Sequence, residues 1–174
     1  MRFIVSILAA LLLSIFAKDG VSAQHRKLTV VLLRHAEKDL TDENTANPEL
    51  SAAGKARAEK LAKTINKYEP DVIYSTDYLR TRATARPLAR SRNAMTLIYD
   101  ERNLNQMSDL IMSGKFKRVV VIGHNSTTPA LVNMLIKQDK YKKLGEDEYD
   151  KIWIVKIRRY KRKPNKIKDK IIEY

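Results

Sequence analysis

The chain has 174 residues, with 34 lysines and arginines against 20 aspartates and glutamates, three histidines and no cysteine. The absence of cysteine excludes a disulfide-stapled scaffold, a cysteine-ligated zinc finger, an iron–sulfur protein and a thiol nucleophile. A formal net charge of +14 indicates an anionic partner, for which phosphate esters, nucleic acid and acidic lipids are all candidates. The length is typical of a single domain.

The first residues have the pattern of an export signal. Arg2 precedes an apolar run of fourteen residues from Phe3 to Phe16. That run is shorter than the ~18 apolar residues of a membrane span, and the small residues Val21-Ser22-Ala23 suit a signal peptidase. We therefore predict that residues 1–23 are a cleaved signal peptide and that residues 24–174 are one exported domain, periplasmic or secreted, with no transmembrane segment after cleavage. An uncleaved N-terminal anchor is the alternative.

The rest of the chain alternates between strand-like and helix-like patterns. Apolar runs predict strands at residues 28–33, 72–75, 95–99, 118–123 and 152–157, with a short sixth strand at 167–174. Helical spacing predicts helices at residues 51–68 and 77–89, one that runs to about 112, and one that Thr127 or Thr128 caps. This alternation is typical of βαβ units. We predict an α/β fold, a three-layer α/β/α sandwich whose mostly parallel central sheet has an antiparallel C-terminal edge.

Candidate functional residues follow the predicted strands. In an open α/β sheet, ligands bind beyond the carboxyl ends of the strands. Those ends place two histidines and two arginines at one edge: Arg34, His35, Arg80 and His124. Arginines are permanently charged donors to phosphate oxygens, and a neutral imidazole can act as a nucleophile. A transition-metal site fits less well, because the two histidines lack a well-spaced set of carboxylates.

Four segments of the chain carry recognisable motifs, in this order: Leu33 to Lys38 (LRHAEK), Leu50 to Gly54 (LSAAG), Ser75 to Ala85 (STDYLRTRATA) and Val121 to His124 (VIGH). They resemble the R-H-G, L-T-x-x-G, S-S-x-x-x-R-A-x-x-T-A and second-histidine motifs of the histidine phosphatase (phosphoglycerate-mutase-like) superfamily. The resemblance covers about residues 29 to 135. Each motif alone is weak, but four in the same order are a strong signal.

The resemblance implies a role for each matching residue. His35 would be the nucleophile that becomes phosphohistidine, and His124 would complete the pocket and stabilise charge. Arg34 and Arg80 would clamp the phosphoryl oxygens, with Arg82 as a competitor for the role of Arg80. The implied activity is phosphomonoester hydrolysis without metal or cofactor, acting on a phosphorylated small molecule or a phosphopeptide.

The proton donor departs from the pattern of the family. Relatives carry a glutamate in a glycine-containing context after the third strand, or an aspartate directly after the second histidine. Here Asp100 and Glu101 follow the third strand without those glycines, and Asn125 follows His124. These three residues are candidates for proton donation or substrate contact, and Glu37 is a further candidate donor.

The absence of the family's proton-donor pattern also affects which substrates are expected. A site without a proton donor favours good leaving groups, such as aryl phosphates, acyl phosphates and phosphohistidine, and mutase activity is not expected. The alternative is a non-catalytic phosphate- or polyanion-binding protein that retains the pocket.

The C-terminal segment 156–174 is strongly basic, with nine lysines and arginines and two acidic residues. One interpretation is a solvated hairpin whose lysines protect a sheet edge from aggregation. The other is a patch that binds polyanions or a membrane surface in a salt-dependent way. The segment carries no motif for specific nucleic-acid recognition, and the sequence leaves the oligomeric state open.

Overall fold

The computed structural model describes residues 27–41, 43 and 46–174. The predicted signal peptide, residues 1–23, lies outside these described residues. Within them, no helix has the length and apolar character needed to cross a lipid bilayer.

The described residues form six strands and four helices. In chain order they are β1 (Lys27–Arg34), α1 (Ala52–Asn66), β2 (Val72–Ser75), α2 (Leu79–Arg92), β3 (Met95–Ile98), α3 (Leu104–Ser113), β4 (Arg118–Gly123), α4 (Thr127–Ile136), β5 (Lys151–Arg158) and β6 (Lys166–Glu173). The sheet has the order β3-β2-β4-β1-β5-β6. β1 to β4 are mutually parallel, and β5 and β6 pair antiparallel at the edge. The predicted α/β architecture, including its antiparallel edge, is confirmed.

Alternation along the strands divides the core between the two faces of the sheet. On one face Val31, Ile73 and their row neighbours pack against apolar residues of α1 and α2. On the other face Leu32, Trp153 and their neighbours pack against α3 and α4. Each fully buried aliphatic side chain contributes about 1.5–3 kcal/mol of transfer free energy. These two clusters hold the helices in place on both sides of the sheet.

The beginning of α1 depends on a glycine. Ser51 caps this helix, because its hydroxyl accepts from the N–H of Gly54 at 3.0 Å. A Cβ atom on Gly54 would lie 2.1 Å from the carbonyl oxygen of Glu37. The glycine of the Leu50 to Gly54 motif thus allows α1 to pack directly against the backbone that follows β1.

The N-cap of α4 differs from the predicted one. The N-cap is Ser126 rather than Thr127 or Thr128, and it makes no capping hydrogen bond through its side chain. The Thr127 hydroxyl instead accepts from the N–H of His124 at 3.1 Å, and the Thr128 hydroxyl donates to the carbonyl of Leu33 at 3.2 Å. Both hydroxyls therefore tie the ends of β1 and β4 to the helix.

Candidate active site

The two histidines meet because β1 and β4 are neighbours. The N–H of His35 donates to the carbonyl of Gly123 at 2.9 Å, which continues the parallel pairing one residue past the strands. The rings of His35 and His124 lie edge to face with centroids 5.4 Å apart. His35 is only 4% exposed. The structure thus brings together the two histidines that the strand ends single out.

The ring of His35 is held in one tautomer. Its Nδ1 lies 2.7 Å from the carbonyl oxygen of Ala36, and a carbonyl can only accept, so Nδ1 carries the proton. Nε2 therefore presents a lone pair, which accepts from Nε of Arg80 at 3.3 Å. Burial, opposed by the Ala36 hydrogen bond and assisted by the nearby cationic side chains, lowers the pKa of His35 to about 3. The imidazole is neutral at ordinary pH.

Arg80 is positioned by a buried threonine. The Thr84 hydroxyl accepts from the N–H of Ala36 at 3.0 Å and donates to the carbonyl of Arg80 at 2.7 Å, which links α2 to the chain beside His35. The Arg80 guanidinium stacks on the ring of Tyr78, 4.3 Å from the ring centroid. Arg82 is exposed and pairs with Asp77. Of the two candidate arginines, the structure therefore places Arg80 in the pocket.

A chain of hydroxyls fixes the ring of His124. The hydroxyl of Thr81 lies 2.9 Å from the carbonyls of Thr76 and Tyr78, so its one hydrogen goes to a carbonyl. Thr76 donates to Thr81 at 3.0 Å and must then accept from Nε2 of His124, also at 3.0 Å. This leaves Nδ1 of His124 as the nitrogen with the lone pair. Burial and the charge of Arg80 lower the pKa of His124 to about 4.

Arg34 is shared between the pocket and the loop before β5. Its Nη1 donates to the carbonyls of Gly145, Glu146 and Glu148 at 2.9, 2.8 and 3.2 Å. The guanidinium also stacks on the ring of Tyr149, 4.0 Å from the centroid. Its Nε is buried and has no hydrogen-bond partner among the described residues. Arg34 therefore has one N–H group that makes no hydrogen bond within the described part of the chain.

The candidate proton donors occupy different environments. Asp100 is exposed, and both of its carboxylate oxygens accept from Arg102 at 2.9 and 3.1 Å. Glu101 is partly buried, and its negative charge acts to raise the pKa of His124 and of Arg80. Glu37 accepts from Nε of Arg57 at 2.7 Å. Of these carboxylates, Glu101 is the one whose charge reaches both pocket residues.

Asn125 stabilises the loop before β5 and is not placed as a proton donor. The side-chain amide of Asn125 donates to a carboxylate oxygen of Glu146 at 2.9 Å, and the backbone carbonyl of Asn125 accepts from the N–H of Leu144 at 3.0 Å. Both contacts hold residues 144–146 next to Arg34. The structure thus gives Asn125 a part in shaping the pocket wall.

Four contributors to the site carried little or no signal in the sequence. Thr76 and Thr84 lie in the Ser75 to Ala85 motif, but their hydroxyl contacts become visible only once the strands and α2 are placed. Tyr149 and the carbonyls of the 145–148 loop lie outside every motif. An aromatic residue shortly before a buried strand is the one available hint for Tyr149.

The described residues contain no group of three or more histidine, aspartate or glutamate side chains placed to hold a metal ion. The positive charge in the pocket comes from Arg34 and Arg80. Two arginine donors and a neutral imidazole facing one space form a pocket suited to a tetrahedral oxyanion.

Comparisons with known proteins agree with this fold. Residues 30–105 match the sequence profile of the histidine phosphatase superfamily, branch 1. A protein of Agrobacterium tumefaciens assigned as the phosphohistidine phosphatase SixA has a similar structure, with 25% identity and a TM-score of 0.57 over 74% of this chain and 91% of that one. The chain is therefore similar to histidine phosphatases over these residues and in its fold.

Two further similarities extend the comparison. The protein histidine phosphatase SixA, solved with tungstate, shares the fold with a TM-score of 0.65 and 13% identity over 84% of this chain and 97% of that one. Phosphoserine phosphatase 1 of Hydrogenobacter thermophilus is 35% identical over 68 residues, which are 37% of this chain. The match spans about a third of that curated relative, 32% of its length.

Proposed function

We propose that this protein is a phosphomonoester hydrolase that forms a phosphohistidine on His35, without metal or cofactor. The single observation that carries the proposal is the Nδ1–H···O contact of 2.7 Å between His35 and Ala36. It supports a nucleophilic Nε2 that stays unprotonated, with two arginine side chains nearby to meet the phosphoryl oxygens. The similarity of residues 30–105 to the histidine phosphatase superfamily and the phosphatase-named relative support the same activity.

In the first step, the lone pair on Nε2 of His35 attacks phosphorus and the bond from phosphorus to the leaving group breaks. Arg80 shifts its Nε–H from the histidine to a phosphoryl oxygen, and the buried Nε–H of Arg34 meets another. Fixed donors of this kind stabilise the charge of a transferring phosphoryl group. The leaving group departs with the bonding electrons and takes a proton from Glu101 or from solvent.

In the second step, a water molecule attacks the phosphorus of the phosphohistidine. The bond from phosphorus to Nε2 breaks, the electron pair returns to the imidazole, and inorganic phosphate leaves. The proton lost by the water goes to the carboxylate of Glu101 or to solvent. Nδ1 of His35 keeps its proton throughout, because the Ala36 carbonyl continues to accept from it.

The substrate class depends on the quality of the leaving group. SixA is named for phosphohistidine and the curated relative for phosphoserine. An imidazole leaves readily, whereas the serine alkoxide needs a proton donor. Glu101 lies outside the usual glycine context of the proton donor, which favours phosphohistidine and aryl phosphates as substrates. We propose that the protein acts on such substrates outside the cytoplasm, in keeping with the signal-like residues 1–23.

The test uses purified protein and an aryl phosphate. Wild type should turn over and become labelled with acid-labile phosphate, whereas His35→Ala should do neither. His25→Ala changes the one histidine that we do not place in the pocket. It is the matched control and should retain activity. Equal, slow hydrolysis by wild type and His35→Ala would instead support a non-catalytic phosphate-binding protein.

Two additional measurements address the metal and the compartment. EDTA should leave the rate unchanged, and loss of activity with chelator would overturn the metal-independent mechanism. Cell fractionation and mass spectrometry of the native N-terminus should find a chain that begins at Gln24 in the exported fraction. A cytoplasmic chain that begins at Met1 would overturn the proposed location.

A further inference from the structure

A second cationic feature lies at the other end of the sheet. A groove of about 430 Å³ runs across the beginning of β1, the end of β5 and the beginning of β6. Five of its eight lining residues are basic and none is acidic: Lys27, Lys156, Arg158, Lys166 and Lys168. His35 lies six residues beyond Thr29 along β1, roughly 20 Å away in an extended strand. The groove is therefore distinct from the phosphoryl pocket.

The pairing register places these cations side by side on one sheet face. Lys27, Arg158 and Lys166 form one row, and Thr29, Lys156 and Lys168 form the next row on the same face. Neighbouring strands are about 4.8 Å apart, and alternate residues of a strand are roughly 7 Å apart. Like charges directly opposite each other destabilise a sheet. The fold thus keeps these five cations close together, a charge grid that costs folding free energy.

Acidic residues of the described chain do not neutralise this grid. Arg118 belongs to the row of Thr29 and pairs with Asp71 and Glu69. By contrast, none of the five groove cations makes an ion pair with any of the residues that the structure describes. Within this row, the charge of Arg118 is therefore compensated by ion pairs, whereas, among the described residues, the charges of Lys156 and Lys168 are not.

We propose that the groove binds a compact anion that carries several phosphate groups. One phosphate can neutralise at most two of the five cations, so a ligand that satisfies the grid must present several anionic groups a few ångströms apart. No lining residue is aromatic, which removes the base-stacking contribution of single-strand nucleic-acid sites. Leu28 and Ile157 are 1% and 2% exposed, so these lining residues offer no apolar side chain to a bilayer.

The test uses the full chain and inositol hexasulfate, a polyanion that a phosphatase cannot hydrolyse, in isothermal titration. Lys166→Glu combined with Lys168→Glu places each glutamate opposite a cation, Arg158 and Lys156, so these pairs become attractive and the fold is preserved. Lys161→Glu with Arg162→Glu makes the same change in net charge in the exposed turn between β5 and β6. This pair is the matched control.

Wild type and the turn variant should bind one hexasulfate per chain, and the groove variant should bind at least tenfold more weakly. Saturating hexasulfate should raise the melting temperature of wild type and of the turn variant only. Equal weakening in both variants, or weakening in neither, would overturn the proposal. It would also be overturned if hexasulfate failed to bind while anionic vesicles or a single-stranded oligonucleotide bound wild type and lost affinity in the groove variant.

Discussion

Nε of Arg80 donates a hydrogen bond to Nε2 of His35 at 3.3 Å, the atom that we propose as the nucleophile. In the pocket without substrate, the arginine thus occupies the lone pair that must attack phosphorus. A phosphoryl oxygen is a stronger acceptor for a guanidinium than a neutral imidazole. Substrate binding therefore draws the donor away and exposes the nucleophile in the same event.

Replacing Arg80 should cost most of the activity. Arg80→Ala removes a charged donor to the developing phosphoryl charge, and we expect kcat/KM to fall by about 10²–10³-fold in steady-state assays on an aryl phosphate. Arg82→Ala is the matched control, because Arg82 is exposed and pairs with Asp77. A larger loss in Arg82→Ala than in Arg80→Ala would contradict the assignment.

Thr76 should act by positioning His124. Thr76→Val keeps the volume but removes the acceptor that orients Nε2–H of His124, so we expect a 10- to 100-fold loss in rate. Thr76→Ser keeps the hydroxyl and should restore most of the rate. NMR of the His124 ring should show the change of tautomer only in Thr76→Val. An unchanged ring spectrum together with a slow enzyme would contradict the positioning role.

The two carboxylates after β3 should behave differently. Glu101→Gln should slow hydrolysis of alkyl phosphates such as phosphoserine more than that of aryl phosphates, because only the poor leaving group needs a proton. Asp100→Asn should leave both substrates unaffected, since its carboxylate pairs with Arg102 at the surface. Rates measured across a series of leaving groups check this difference. An equal loss on all leaving groups in Glu101→Gln would argue against proton donation.

Acid should destabilise the fold through the two histidines. The folded pKa values, about 3 for His35 and about 4 for His124, lie below the unfolded value of about 6.5. The unfolded chain therefore binds more protons between these values, and the free energy of unfolding falls as pH drops through about 6.5. Each histidine contributes up to about 1.4 kcal/mol per pH unit. Urea unfolding at several pH values should show this slope, and His35→Asn should reduce it; an unchanged slope would contradict the pKa of His35.

Gly54 should tolerate no side chain. A Cβ atom there would meet backbone, the Glu37 carbonyl at 2.1 Å, and we expect Gly54→Ala to cost about 1–3 kcal/mol in thermal or urea unfolding. Gly145→Ala is the control, because the nearest atom to its Cβ is a Glu148 side-chain oxygen at 3.3 Å. Equal stability of the two variants would contradict the close approach of α1 to Glu37.

Sequence patterns predicted the strands well because buried strands need continuous apolar runs. β2 and β4 have the predicted bounds, and β6 (Lys166–Glu173) lies one residue earlier than the predicted 167–174. The convergence of His35 and His124 followed from topology, since both come directly after neighbouring parallel strands. The predicted N-cap of α4 was wrong because the Thr127 hydroxyl bonds to the nearby His124 and the Thr128 hydroxyl bonds to Leu33, which is distant in sequence.

The environment of Arg34 could not be predicted for a different reason. Its three closest partners are carbonyl oxygens, which every residue possesses and which carry no sequence signal. The role of Tyr149 likewise depends on how the loop after α4 folds back over β1. The carboxylates show the same limit, because the exposure of Asp100 and the partial burial of Glu101 depend on a turn that adjacent residues do not specify.

Backbone anchoring of Arg34 has an evolutionary consequence. Because the 145–148 loop holds this arginine through carbonyl oxygens, substitutions of its side chains leave the anchor intact. The Glu146 side chain is an exception although it is 69% exposed, because its carboxylate lies 3.6 Å from Nη2 of Arg34 and accepts a hydrogen bond from Asn125. The side chains of the pocket wall can therefore change to accommodate other phosphorylated molecules, while the position of Arg34 stays the same.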